Sequence, residues 1–187
     1  LEPHIGLVNG VAVYGANLSS ILEIEAVAKK ARGRKGRLKV TGIIEEEEMS
    51  SSGRKVRRKS TAYCSVQNVI SVLDNCFDLN CDSYDIHVNF PGGTPVDGPS
   101  AGIAMACSIY SAIKGIPVNN KVAMTGEISI QGKVKPIGGV VAKIAAAKKA
   151  GVKVFILPKD NYEKSLSQEN SISIIPVDNI QQVIDLA

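Results

Sequence analysis

Apolar residues change their spacing several times along the chain, and each change predicts an element. Residues 5–14 (Ile-Gly-Leu-Val-Asn-Gly-Val-Ala-Val-Tyr) and 21–28 (Ile-Leu-Glu-Ile-Glu-Ala-Val-Ala) read as strands joined through a turn at 17–20, and a Gly33-Arg-Lys-Gly36 turn leads into a third strand over 38–44. The opening is therefore a β-rich meander. From Ser65 onward, Val66, Val69, Ile70, Leu73 and Phe77 recur at helical spacing, with Asn68, Ser71 and Asn75 between them, which predicts an amphipathic helix lying on the sheet. Residues 85–90 alternate as a strand. A helix begins near Ser100, runs through Ile103, Met105, Ala106 and Ile109 to Lys114, and stops at Gly115 and Pro117. Strands over 121–126 and 128–134 follow, with Gln131-Gly132 at a hairpin turn. Gly138 and Gly139 open a further helix that Gly151 ends, and the chain closes with a strand at 152–157, a short helix at 160–167, a strand at 172–177 and a helix from Asp178. Alternation of this kind predicts an α/β (α+β) fold, a single compact domain over residues 1–187 in which mixed β-sheets carry flanking helices.

The length of 187 residues and the 44% hydrophobic content fit one well-cored domain and are too small for two comfortable ones. Apolar runs stay far below the roughly 20 residues needed to span a bilayer, and no charged stretch followed by an apolar core opens the chain, so a soluble, unexported domain is expected. Four cysteines at irregular spacing, Cys64, Cys76, Cys81 and Cys107, read as reduced core thiols of a cytoplasmic protein. With only His4 and His87 and no Cys-x-x-Cys pair, no metal site is expected. Charge is unevenly spread. Of the 22 Lys/Arg, twelve fall in residues 1–60 against seven of the 18 Asp/Glu, so that part carries +5 and the remainder −1. The basic centres run from Lys29 to Lys39 and from Arg54 to Lys59; a solvated surface is the favoured reading, because no aromatic residues interleave to stack bases, and weak nucleic-acid binding by counterion release is the alternative. Between them, Glu45, Glu46, Glu47 and Glu48 with residues 49–53 read as an acidic loop.

Candidate chemistry centres on Pro95-Val-Asp-Gly-Pro-Ser-Ala-Gly102. The loop feeds a helix, and Pro99 sets Ser100 in its first turn, where unpaired N–H groups and the positive dipole end favour an oxyanion. Taken alone, Ser100 reads first as a helix cap, and a second group must decide for the nucleophile. The second group is Lys143, which the helical period sets opposite Lys148 and Lys149 among Val140, Ala146, Ala147 and Ala150. An inward lysine is either ion-paired or held neutral with a lowered pKa, the latter being what a general base requires. Thr125 and Glu127 are expected near this lysine, Thr125 as an orienting hydrogen-bond partner or as an ordinary strand threonine. His87 sits on a strand and reads as a surface or packing residue.

These residues carry a resemblance. Pro95-Val-Asp-Gly-Pro-Ser-Ala-Gly102, Ala123-Met-Thr-Gly-Glu-Ile128, Gly132-Lys-Val-Lys-Pro-Ile-Gly-Gly139 and Lys143 resemble successive signature blocks of the proteolytic domain of Lon, the ATP-dependent protease. The likeness extends from Ile5-Gly-Leu-Val-Asn-Gly10 through Leu22-Glu-Ile-Glu-Ala26 and Val40-Thr-Gly42 to Ala150-Gly151 and residues 154–158, and the glutamate-rich stretch is similar to the archaeal-type variant. The resemblance implies a serine endopeptidase with a Ser-Lys dyad: Ser100 as nucleophile, Lys143 as general base and Thr125 in support, with no catalytic histidine. Backbone N–H groups from Gly98 to Ala101 would hold the oxyanion. Asp97 either orients the loop or pairs with Lys143 in a resting site. The resemblance further implies unfolded polypeptide substrates and hexameric rings, assembled only weakly by this domain alone. It implies no cofactor here, with ATP and Mg belonging to an AAA+ portion; indeed no Gly-x-x-x-x-Gly-Lys-Ser/Thr loop occurs in the chain. Membrane attachment would belong to segments elsewhere. The rival expectation is a catalytically silent Lon-like assembly or DNA-binding domain.

Overall fold

The computed structural model describes residues 2–14, 18–42, 48–51, 54–57, 61–93, 99–163, 166 and 171–187. Asn17, Glu45, Glu46, Glu47, Arg58, Lys59, Asp97 and Gly98 therefore lie outside the described residues. The first half of the chain contains strands β1 (Leu7–Tyr14), β2 (Leu18–Lys30), β3 (Leu38–Thr41), β4 (Glu48–Ser51) and β5 (Arg54–Arg57), then helix α1 (Thr61–Phe77) and β6 (Tyr84–Asn89). A single 3-10 turn, Pro99–Ala101, leads into α2 (Gly102–Lys114), followed by β7 (Val122–Met124), β8 (Glu127–Ile128), β9 (Val134–Lys135), α3 (Val140–Lys149), β10 (Val154–Pro158), β11 (Ser173–Val177) and α4 (Ile180–Leu186).

Seven strands form one sheet in the order β11-β10-β7-β1-β2-β6-β3. Its centre is mixed: β1 runs antiparallel to β2 and parallel to β7, while β10 and β11 continue the parallel half. The predicted opening meander is corrected on one point. β3 does not follow β2 in the sheet, because β6 pairs between them, antiparallel to β2 and parallel to β3. Alternation along β2 sets Leu22, Ile24 and Ala26 inward and Glu23, Glu25 and Val27 outward, so a one-residue slip would carry charge into the core. The acidic stretch is shorter than its composition suggested, since Glu48–Ser51 pairs with Arg54–Arg57 as a two-stranded hairpin. Residues 128–134 are likewise not one strand: β8 and β9 fold back on each other across a turn in which Ser129 N–H donates to Lys133 O at 2.9 Å. The described part of the helix expected over 160–167 holds a 3-10 turn at Lys159–Asn161 and, past Tyr162, Leu166, whose N–H donates to Glu163 O at 2.9 Å in 3-10 fashion.

Helices cover both faces. The larger core cluster contains Val66, Val69 and Leu73 of α1, Ile103, Met105 and Ile109 of α2, and Ile180 and Val183 of α4, with Phe77 and Tyr110 meeting edge-on at 5.2 Å where α1 crosses α2. A second cluster on the opposite face joins Ile144 and Ala147 of α3 to Val11, Ala123, Phe155 and Leu157. Strands β7 and β10 are buried on both faces, as expected of central parallel strands. None of the described helices is long and apolar enough to cross a membrane. The cysteine expectation needs amending: Cys81 and Cys107 are buried free thiols, but Cys64 and Cys76 are exposed. Burial pushes the Cys107 thiol up to about 12, which leaves it inert at neutral pH.

Two polar details fix the periphery. Gly6 is bolted to α2, its N–H donating to Ser111 Oγ at 2.8 Å and its carbonyl accepting from Ser108 Oγ at 2.7 Å and from Ala26 N–H at 2.7 Å. At the β3 edge, Arg34 grips Asp85 through both Nη atoms at 2.9 and 2.6 Å, and Arg37 N–H adds a third donor at 2.9 Å. Ser111→Ala leaves a buried N–H without its acceptor, whereas Ser108→Ala leaves the Gly6 carbonyl still bonded to Ala26. Thermal denaturation should therefore show Ser111→Ala destabilised by about 1–3 kcal/mol and Ser108→Ala by less. The Asp85 carboxyl, held at about 2 by the Arg34 hydrogen bonds and then the Arg37 amide, against an ordinary value of 3.8, stabilises the fold above pH 3.8. That contribution should vanish as pH falls toward 2. NMR titration of its carboxyl carbon should give the low value, rising in Arg34→Ala.

Candidate active site

The site lies at the carboxyl ends of the parallel strands β7 and β10, the usual place for a binding site in a sheet of this kind. Three polar side chains are closed off from water there: Ser100 is 1% exposed, and Thr125 and Lys143 are 0% exposed. Each comes from a different element. Ser100 lies in the 3-10 turn ahead of α2, not in the first α-helical turn, a common way for a helix to begin after proline. The N-cap of α2 is Ala101, which makes no side-chain capping bond, so Ser100 does not occupy the capping position. Thr125 follows β7 directly, and its N–H donates to Ile156 O of β10 at 3.0 Å. Lys143 is in α3, one turn from Gly139, and faces inward as the helical period required.

A chain of hydrogen bonds links the three. Lys143 Nζ donates to Thr125 Oγ1 at 3.4 Å, and Thr125 Oγ1 donates to the Ser100 carbonyl at 3.4 Å. A hydroxyl has one proton, so with that proton directed at Ser100 O, Thr125 meets the lysine as an acceptor. The structure thus brings Ser100, Thr125 and Lys143 together and sets Ala101 directly after the serine. Glu127 is exposed on β8, opposite Lys135 in register. His87 is elsewhere, on β6, where Nε2 shares a 2.8 Å hydrogen bond with Thr41 Oγ1. Among the described residues, no group of three or more His, Cys, Asp or Glu side chains could hold a metal ion.

What holds Ser100 in place is backbone contact that sequence reasoning did not anticipate. Gly126 N–H donates to Ser100 O at 2.9 Å and Ile103 N–H donates to Gly126 O at 3.1 Å, a reciprocal pair that fastens the start of α2 to the end of β7. Gly102 is needed for that approach, since a Cβ there would stand 2.9 Å from Ile128 N and 3.0 Å from Ile128 Cγ2; one on Gly126 would crowd the Val134 side chain, 3.0 Å from its Cγ1. The glycines were visible in the motifs; the reason for them lies in a contact between segments 24 residues apart. Asn161 was missed because residues 160–167 read as a helix. Its side chain accepts from Ile137 N–H and donates to Ile137 O, both at 2.8 Å, just ahead of α3. A Pro-Lys-Asp-Asn run ending a strand was the available turn signal.

Because the obstacle at Gly102 is backbone, Gly102→Ala must push α2 away from β8 and carry Ser100 with it. Thermal denaturation should show a loss of about 1–3 kcal/mol, the usual range for overpacking, and hydrolysis of an unstructured peptide should fall more steeply than the folded fraction.

All 187 residues match the family model of the Lon protease (S16) C-terminal proteolytic domain. The chain is 54% identical over 185 residues to Lon protease 2 of Bacillus subtilis, covering 99% of this chain and 33% of that protein. It is 37% identical over 186 residues to the archaeal Lon protease of Archaeoglobus fulgidus (97% of this chain, 28% of the relative) and 38% identical over 192 residues to the Lon protease of Azorhizobium caulinodans (98% and 21%). It spans a third or less of the length of these relatives. With Ser100, Thr125 and Lys143 joined in one buried hydrogen-bonded chain, and bacterial and archaeal Lon proteases matched over 97–99% of its length, this chain belongs to the Lon proteolytic-domain family of serine peptidases.

Proposed function

We propose that this chain is the peptide-cleaving part of an ATP-dependent Lon-type protease that hydrolyses unfolded or damaged polypeptides through a Ser100-Lys143 dyad. The observation that carries the reading is the fully buried Lys143, whose Nζ lies 3.4 Å from the Thr125 hydroxyl that is itself bonded to the Ser100 carbonyl. A dry site strengthens every electrostatic interaction within it and disfavours the ammonium, which suits an amine that must accept a proton. Lys143 takes the Ser100 proton as Oγ attacks the scissile carbonyl carbon. The reading assigns the oxyanion to the N–H groups of Gly98 and Ala101, the latter next to the start of α2, where the dipole favours negative charge. As the C–N bond breaks, the lysine ammonium returns the proton to the leaving amine; water, deprotonated by Lys143, then cleaves the acyl-serine ester. Thr125 accepts one N–H of the amine and so turns its lone pair toward the nucleophile. Asp97 remains assigned to the loop ahead of Ser100, orienting it or pairing with Lys143 at rest.

The same reading assigns ATP and Mg to an ATPase portion beyond this chain, along with a hexameric ring to which this domain contributes only weak self-association. It carries a cytoplasmic location, any membrane attachment residing in further segments. Nucleic-acid binding through Lys29 to Lys39 and Arg54 to Lys59 has less support. Arg34 is committed to Asp85 at 2.6 Å, and Lys35 stands 3.4 Å from Asp82. A silent assembly domain would have no use for a serine and a lysine buried together.

An activated peptidyl ester or fluorophosphonate should acylate or phosphonylate Ser100, located by mass spectrometry. Ser100→Ala and Lys143→Met should each lower peptide hydrolysis by on the order of 10⁴-fold while the fold survives. An adduct on Ser108, or a Lys143→Met variant that still cleaves peptide, would defeat the assignment.

A further inference from the structure

The start of α3 has little of its own to hold it. Its N-cap is Gly139, with φ +70° and no capping side chain, and no acidic residue stands in the first turn. A Cβ at Gly138 or Gly139 would meet nothing within 4 Å, so this segment packs against no neighbour at those positions. Yet Lys143 is exactly one hydrogen-bonded turn further on, its N–H donating to Gly139 O at 3.1 Å. Any displacement of the Gly-Gly entry is transmitted to the lysine.

The entry is gripped from β10. Asn161, in the 3-10 turn after that strand, offers Ile137 both an acceptor and a donor: Ile137 N–H to Oδ1 at 2.8 Å, and Nδ2–H to Ile137 O at 2.8 Å. A primary amide is the side chain that can match a peptide unit in this way, as a neighbouring strand would. The same stretch of chain also holds the other end of the lysine contact. Ile156 O, five residues earlier, accepts the Thr125 N–H at 3.0 Å. One continuous segment, residues 156–161, therefore contacts both Thr125 and the entry to α3, the two sides of the 3.4 Å separation of Lys143 Nζ from Thr125 Oγ1.

We infer that Asn161 is a positioning residue for Lys143: its two hydrogen bonds to Ile137 fix the register of α3 against β7 and thereby the aim of the lysine amine. The inference rests on the reading of Lys143 as general base. Asn161 does not touch the reacting atoms. It acts by holding α3, and a shift of about 1 Å at a catalytic group is enough to cost on the order of 10²-fold in rate.

The test is steady-state hydrolysis of an unstructured fluorogenic peptide across pH by the parent chain, Asn161→Ala, Asn161→Asp, Lys143→Met and Ser100→Ala, with thermal denaturation of each. Asn161→Asp keeps the acceptor for Ile137 N–H and loses the donor to Ile137 O, so it serves where the alanine variant unfolds. Expected is a fall in kcat of roughly 10- to 100-fold for Asn161→Ala, with KM within about two-fold, and a smaller fall for Asn161→Asp. The acidic limb of kcat/KM should also move to higher pH, because a loosened amine gains water and titrates nearer its ordinary value of about 10.4. Parent-like kcat and an unmoved limb in both Asn161 variants would overturn the inference. So would a loss of activity that only follows the unfolded fraction with the limb in place. Activity surviving in Lys143→Met or Ser100→Ala would instead defeat the dyad reading beneath it, whatever the Asn161 variants did.

Discussion

A lysine nitrogen with no exposure to water is the constraint around which this domain is arranged. Lys143 ranks with Phe90 and Phe155 among the largest fully buried side chains, but unlike them it brings a group that costs several kcal/mol to bury unless polar partners meet it. The partner identified, Thr125, is itself fully buried and must be satisfied in turn, through its N–H to Ile156 O and its hydroxyl to Ser100 O. Burying one amine thus commits a second strand and the start of a second helix. Polar groups that satisfy one another in this way tolerate little displacement, since releasing any one leaves the next buried without a partner.

Sheet geometry explains how helices on opposite faces supply a common site. Along β7, Val122 and Met124 belong to the core beneath α1, α2 and α4, while Ala123 belongs to the core beneath α3. The period of two then turns Thr125 toward the α3 side, where Lys143 waits. Ser100 approaches from the other side, its neighbour Ala101 packed in the larger core. Only beyond the last residue of a strand can the two sides meet without crossing the sheet, and Thr125 stands there. The backbone carbonyl of Ser100, reached by the threonine hydroxyl around the strand end, is the point of contact.

Much of this was legible from the order of residues. The inward turn of Lys143 follows from periodicity against Lys148 and Lys149, and Gly115 and Gly151 ended their helices as punctuation predicts, with φ of +68° and +78°. The strands of the opening half declared themselves by alternation. Pairing order did not: β6 lies between β2 and β3 because a strand some forty residues away competes for the same edge, and local patterning carries no information on that competition. The β4–β5 pairing was hidden by composition, since four glutamates and a run of serines read as solvated loop although residues 48–51 and 54–57 pair antiparallel along the backbone. The site was legible in its side chains and illegible in its supports. Thr125 could be suggested as a partner for the lysine, but the reciprocal bonds of Gly126 with Ser100 and Ile103, and the amide of Asn161 on Ile137, exist only once distant segments are adjacent.

Those supports also bear on where an oxyanion can be held. A helix start offers its first few N–H groups to whatever lies ahead of it, and α2 would be expected to do the same. The Ile103 N–H is not available, because it donates to Gly126 O at 3.1 Å as part of the pair that fastens the helix to β7. On the proposed reading, the Ile103 amide is therefore not among the donors for a developing negative charge. On that reading, the glycine contacts that fasten Ser100 to the end of β7 also withdraw one helix-start amide from the oxyanion.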